Sequence, residues 1–223
     1  MNGLVIFDCD GVLVDTEVIA SRVLADVLNA AGFPVLEHEM SAFVGMSGPA
    51  AYEVLAERFG RPIPEDVRVQ VRAGFRAEIV CGLTPIPGVV ELLDTLSVPS
   101  CIGSNSSHAH LQMTLGAAGL AERFTGRVFS AADVAKPKPH PDLFQHAARR
   151  MRIDTARCVV IEDSVHGVAA GKAAGMRVVG FTGGGHCAQD HDATLRAAGA
   201  DATCEHMAAL ARLLAADGFA RTQ

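Results

Sequence analysis

Asp8-Cys9-Asp10-Gly11 follows the apolar run Leu4-Val5-Ile6-Phe7 and sets two carboxylates two positions apart at the end of a buried strand. Side chains two apart on an extended chain leave on one side, so Asp8 and Asp10 can serve one site. Ser104-Asn105-Ser106 follows a second apolar run, and Glu162-Asp163-Ser164 follows another. A proline-stiffened segment, Lys136-Pro137-Lys138-Pro139-His140-Pro141-Asp142, comes between them. In open α/β sheets, ligands bind at the carboxyl ends of the strands. Four segments can therefore deliver carboxylates, hydroxyls and an ammonium to one edge. Asp8, Asp10 and Asp163 together concentrate negative charge that calls for a cation. Hard oxygen donors with room for water and phosphate point to Mg²⁺. That set suits phosphoryl transfer, with Ser104, the Asn105 backbone amide and one of the two lysines holding the non-bridging oxygens.

The elements that must position these residues read as short, uniformly apolar strands: Leu4–Phe7, Pro99–Gly103, Arg127–Phe129, Cys158–Ile161, Val178–Phe181 and, more weakly, Ala200–Thr203. Uniform apolar runs are the mark of parallel strands covered on both faces. Helical patterns lie between them at Val89–Leu96, His108–Ala118, Pro141–Arg150 and Val165–Ala174. Strand alternating with helix predicts a doubly wound parallel α/β sheet. From Thr16 to Gly82 no strand is legible, only helical stretches separated by Gly32-Phe33-Pro34, Gly45–Pro49 and Gly60–Pro64. The expected organisation is a catalytic core of residues 1–15 and 83–223, with an all-helical cap domain of residues 16–82 inserted after the first strand.

Composition narrows the function classes. Of 223 residues, 49% are hydrophobic and 20% charged, and no apolar run approaches the length of a membrane span. No secretory signal is legible at the N-terminus, and the six scattered cysteines include no CxxC pair, so a cytoplasmic protein with reduced thiols is expected. A net charge of −6 with no basic tract argues against nucleic acid as a partner. No membrane association and no obligate protein partner is indicated.

Asp8-Cys9-Asp10-Gly11-Val12-Leu13-Val14-Asp15-Thr16-Glu17 resembles the first motif of haloacid-dehalogenase-type phosphatases. Ser104 fits the second motif, Lys138 in Lys-Pro-x-Pro-Asp the third, and Glu162-Asp163-Ser164 the fourth. The resemblance spans nearly the whole chain in the right order, and is nearest to the β-phosphoglucomutase and sugar-phosphate phosphatase subgroup. It implies the Rossmann-like core of that superfamily and a helical cap. It also implies roles. Asp8 is the nucleophile that becomes an aspartyl-phosphate. Asp10 protonates the leaving alcohol and then activates water. Mg²⁺ is held by Asp8, the Asp10 backbone carbonyl and Asp163, with Glu162 as a further or outer ligand. Ser104, Asn105 and Lys138 bind the phosphoryl group, and Lys136 is a solvated charge. Specificity is expected from Gly45, Met46 and Ser47 in the cap and from Ser106 and His108 in the core. The substrate implied is a small phosphorylated metabolite, a sugar or sugar-acid phosphate.

Plainer readings stand beside these. Asp-Gly is a common turn pair, and Glu162-Asp163 suits any helix N-terminus. His186, Cys187 and His191 match no strong zinc spacing, and Gly183-Gly184-Gly185 reads as a surface loop. A sugar phosphomutase is the catalytic alternative, and a non-catalytic binding protein of the same fold is the other. Gly48 stands where mutases of the subgroup carry a phosphate-gripping arginine, which favours hydrolysis. Asp10 argues against a true dehalogenase. The absence of any lysine before Lys136 argues against phosphonate cleavage through a cap Schiff base.

Overall fold

A computed structural model of the chain describes residues 3–43 and 48–221. Among these, six strands form one sheet: β1 (Leu4–Phe7), β2 (Ser100–Ser104), β3 (Val128–Ser130), β4 (Cys158–Glu162), β5 (Arg177–Phe181) and β6 (Ala202–Cys204). The order is β3-β2-β1-β4-β5-β6 and every pairing is parallel. All residues of β1, β2 and β4 are buried, as central strands covered on both faces require. The α/β doubly wound class expected from the sequence is the class found.

The strands alternate with helices α4 (Val89–Thr95), α5 (His108–Ala117), α6 (Asp142–Met151), α7 (Val165–Ala173), α8 (His191–Ala197) and α9 (Met207–Ala216). Pro141 sits at the N-cap of α6, a helix start at which its missing N–H costs nothing. Leu143 and Phe144 of α6, Val168 of α7 and Leu195 of α8 pack with Leu4, Ile6, Val160 and Val178 of the sheet in one hydrophobic cluster. Helices α8 and α9 are not among the helices expected from the sequence, although α9 buries Met207, Leu210 and Leu214 at helical spacing.

The chain divides into two compact units: residues 1–15 with 84–223, and residues 16–83. The second contains α1 (Thr16–Ala30), a 3₁₀ stretch (Glu37–Phe43), α2 (Gly48–Phe59) and α3 (Glu65–Gly82). Its own core gathers Leu28, Phe33, Met40, Leu55 and Ile63, each almost fully buried. No helix among the described residues is long and apolar enough to cross a membrane.

Candidate active site

β1 lies between β2 and β4, which is where the chain's winding reverses direction across the sheet. Such a switch point opens a crevice at the carboxyl ends of the strands. Asp8 leaves β1 there, its N–H donating to the Ile161 carbonyl at 2.9 Å. Ser104 is the last residue of β2 and Glu162 the last of β4, each still hydrogen-bonded into the sheet. The chain then turns back tightly. Gly11 takes φ 79°, its N–H donates to the Val14 carbonyl at 2.7 Å, and a Cβ there would meet Asp163 Oδ2 at 2.0 Å. Only glycine tolerates both that backbone and that approach.

Asp8, Glu162 and Asp163, all buried, bring carboxylate oxygens within 4.8 Å of one another. Lys138 reaches into them: its Nζ stands 2.7 Å from Asp8 Oδ1 and 2.5 Å from Glu162 Oε1, with 4% of the side chain exposed. Burial alone would lower the pKa of this ammonium, but Asp8 and Glu162 outweigh it and keep the group charged. The Asp8 carboxyl is pushed well up by burial. Lys138 opposes that shift, and the charges of Glu162, Asp163 and Asp10 reinforce it. The three crowded carboxylates face the Lys138 ammonium and, at Asp163, the His186 imidazole, and their oxygen donors fit a hard divalent cation.

The Asn105 side chain holds the lysine's backbone from both sides. Its Nδ2 donates to the Lys138 carbonyl at 3.1 Å, and the Lys138 N–H donates to its Oδ1 at 3.0 Å. Lys136, two residues earlier, is exposed. Ser104 Oγ is buried and accepts the Ser106 N–H at 3.1 Å. Glu162 uses both oxygens within the protein, since Oε2 accepts from the Ser164 N–H at 3.1 Å and its hydroxyl at 2.9 Å.

Asp10 is held separately. Ser106 Oγ donates to its Oδ2 at 2.7 Å, and His110 Nε2 lies 2.9 Å from its Oδ1. The sequence reading missed His110. A histidine in the first turn of the helix that follows the Ser104 motif, four positions after Ser106, was the available signal. His108 takes no part in this pairing: its Nε2 pairs with Asp133 at 2.9 Å, and its side chain is 52% exposed. Gly45, Met46 and Ser47 lie outside the described residues.

The loop after β5 also enters the site, which its reading as a surface loop did not anticipate. His186 Nε2 is 3.0 Å from Asp163 Oδ2, and His191 Nε2 is 2.5 Å from the Asp163 carbonyl. Burial pulls the His186 pKa down, but Asp163 and Cys187 outweigh it and raise the pKa to about 10. The Gly185 N–H donates to Asp15 Oδ2 at 2.7 Å, tying this loop to the segment that leaves β1.

A family model described as haloacid dehalogenase-like hydrolase matches residues 3–175. The chain is 31% identical over 195 residues to 6-phosphogluconate phosphatase of Escherichia coli (strain K12), covering 84% of each protein. Two solved structures resemble it at TM-score 0.88. One is a conserved haloacid dehalogenase-like protein of unknown function from Agrobacterium tumefaciens, 37% identical, with 98% of this chain and 100% of that one covered. The other is a HAD family hydrolase from Deinococcus radiodurans with bound phosphate and sodium, 36% identical, with 100% and 99% covered.

Proposed function

Since the chain belongs to the haloacid dehalogenase-like hydrolases and has phosphatases among its relatives, we propose that it hydrolyses a sugar or sugar-acid phosphate with Mg²⁺, through an aspartyl-phosphate on Asp8. The observation that carries this reading is the division of labour among the acids at the β1 edge. Asp8 shares a buried, lysine-bridged carboxylate cluster with Glu162 and Asp163, while Asp10 is anchored apart from it by Ser106 and His110.

In the first step an Asp8 oxygen forms a bond to phosphorus as the bond to the leaving oxygen breaks, and Asp10 gives that oxygen its proton. In the second, Asp10 takes a proton from water, whose oxygen attacks phosphorus. The Asp8–phosphorus bond breaks, inorganic phosphate leaves, and Asp8 is restored. Lys138, Ser104 and the Asn105 backbone amide hold the non-bridging oxygens, with the Asn105 side chain fixing the lysine's backbone. Asp8, Asp163 and the Asp10 backbone carbonyl would hold Mg²⁺. Both Glu162 oxygens are already engaged, which favours an outer position for it. The bound ion supplies positive charge that lets an anionic nucleophile approach a phosphate dianion. The 6-phosphogluconate phosphatase relative supports a sugar-acid phosphate as the first substrate to try. Six unpaired cysteines suit a reducing cytoplasm.

The test is phosphate release from a panel of sugar and sugar-acid phosphates, 6-phosphogluconate included. Turnover is expected with Mg²⁺, is lost in excess chelator, returns on adding Mg²⁺, and is absent in Asp8→Asn. Undiminished turnover in chelator, or in Asp8→Asn, would refute the mechanism.

A further inference from the structure

His186, Cys187 and His191 belong to no step above, yet the loop after β5 and the start of α8 bring a ligand atom of each within 4.8 Å of the others. Cys187 Sγ lies 3.6 Å from His186 Nε2, and that nitrogen lies 3.0 Å from Asp163 Oδ2. Zinc bond lengths of about 2.0–2.1 Å to nitrogen or oxygen and 2.3 Å to sulfur give tetrahedral edges of roughly 3.6 Å for N···S and 3.3 Å for N···O. The His186–Cys187 separation is that of two ligands around one small cation, and the His186–Asp163 separation is slightly shorter than such an edge. His191 donates its Nε2–H to the Asp163 carbonyl at 2.5 Å, which leaves Nδ1 as the nitrogen it offers a cation.

A second observation sets this histidine apart from an ordinary buried one. Only 6% of the His186 side chain is exposed, and its Nδ1 is buried with no hydrogen-bond partner. Buried polar atoms are normally satisfied. Its Nε2 faces a thiol and a carboxylate, and a second imidazole lies in the same cluster. The loop is also braced: the Cys187 N–H donates to the Gly184 carbonyl at 3.0 Å, and a Cβ on Gly184 would strike the His186 ring at 2.7 Å.

We propose that His186, Cys187, His191 and Asp163 Oδ2 form a second cation site, selective for Zn²⁺ and similar transition metals, that shares Asp163 with the carboxylate cluster. Imidazole and thiolate are ligands for which Mg²⁺ has little affinity and Zn²⁺ has much. Zinc takes cysteine as its thiolate, so Cys187 would bind in that form. One Asp163 carboxylate cannot serve both cations at full strength, so occupancy of this site weakens the Mg²⁺ centre and inhibits the enzyme. The inhibitory half rests on the phosphatase reading; the binding half does not.

The test uses Co²⁺ as a spectroscopic probe, added to the whole protein in excess Mg²⁺. A tetrahedral cobalt thiolate gives a near-ultraviolet charge-transfer band, which a site of oxygen ligands cannot produce. One equivalent of Co²⁺ is expected to develop that band, Zn²⁺ to bleach it, and Cys187→Ser to abolish it. No band in the wild type, or an unchanged band in Cys187→Ser, overturns the site. In the phosphatase assay Zn²⁺ is expected to inhibit the wild type at about tenfold lower concentration or less than Cys187→Ser, while both turn over equally with Mg²⁺ alone. Equal Zn²⁺ sensitivity would overturn the sharing of Asp163. A protein that released no phosphate at all would remove the phosphatase reading and leave the cobalt result to decide the site.

Discussion

Lys136 and Lys138 differ by two positions in one proline-rich loop, and the environment each meets is opposite. Lys138 is buried between Asp8 and Glu162 with its backbone clamped by Asn105, whereas Lys136 is exposed. A charge fixed in a dry site needs no reorganisation when negative charge develops beside it, which is the main source of electrostatic catalysis. Lys138→Ala is therefore expected to lower kcat/KM by about 10²–10³-fold. It also leaves two buried carboxylates without their ammonium, so circular dichroism should accompany the assay. Lys136→Ala removes a solvated charge and should stay within about twofold of wild type. The reverse ranking in a steady-state assay would mean that the loop docks two residues out of register.

At the scale of elements, the join between β4 and α7 sets the site's geometry. Ser164 caps α7 by accepting the Gly167 N–H at 3.0 Å, and the same serine donates to Glu162. Gly167 faces the glutamate so closely that an added Cβ would lie 1.8 Å from Glu162 Cδ. Gly167→Ala must displace either the helix or a buried carboxylate. The expected cost is about 1–3 kcal/mol, or a fall in Tm of roughly 2–10 °C for a chain of this size. Gly116 in α5 is the control, since a Cβ there meets nothing within 4 Å. Gly116→Ala should hold or raise Tm because alanine is the better helix former, by about 1 kcal/mol. Equal melting of the two variants would sink the argument that Gly167 exists to house Glu162.

For the whole molecule, a cation held by the cluster at the sheet switch point would couple folding to its binding. Asp8 and Glu162 share the Lys138 ammonium with Asp163 crowded beside them, and positive charge opposes the burial that raises the Asp8 pKa. A cation that binds only the folded chain stabilises it by about 2.7 kcal/mol at a hundredfold excess over Kd. Thermal unfolding should thus show Tm rising by roughly 5–10 °C from chelator to saturating Mg²⁺. Asp163→Asn should lose most of that rise. A wild-type Tm indifferent to Mg²⁺ would count against the carboxylates as the cation site.

The class of the fold was legible because burial is a local pattern: Leu4–Phe7, Cys158–Ile161 and Val178–Phe181 are uniformly apolar, as strands covered on both faces must be. The polar residues that end those runs were legible for the same reason. Helix α9 went unread although Met207, Leu210 and Leu214 repeat at helical spacing, and α8 offers only Leu195 as a buried residue, too little for a period. What local pattern cannot carry is adjacency through space. Only strand order places β1 between β2 and β4, so that residues 8, 104 and 162 end on one edge. The motif singled out Lys138, but only the docked loops bury it between Asp8 and Glu162, set His110 and Ser106 on Asp10, and close His186 and His191 on Asp163. These contacts join segments up to 130 positions apart in the chain. Sequence spacing sets which residues can reach a shared edge, and packing selects the partner each one meets.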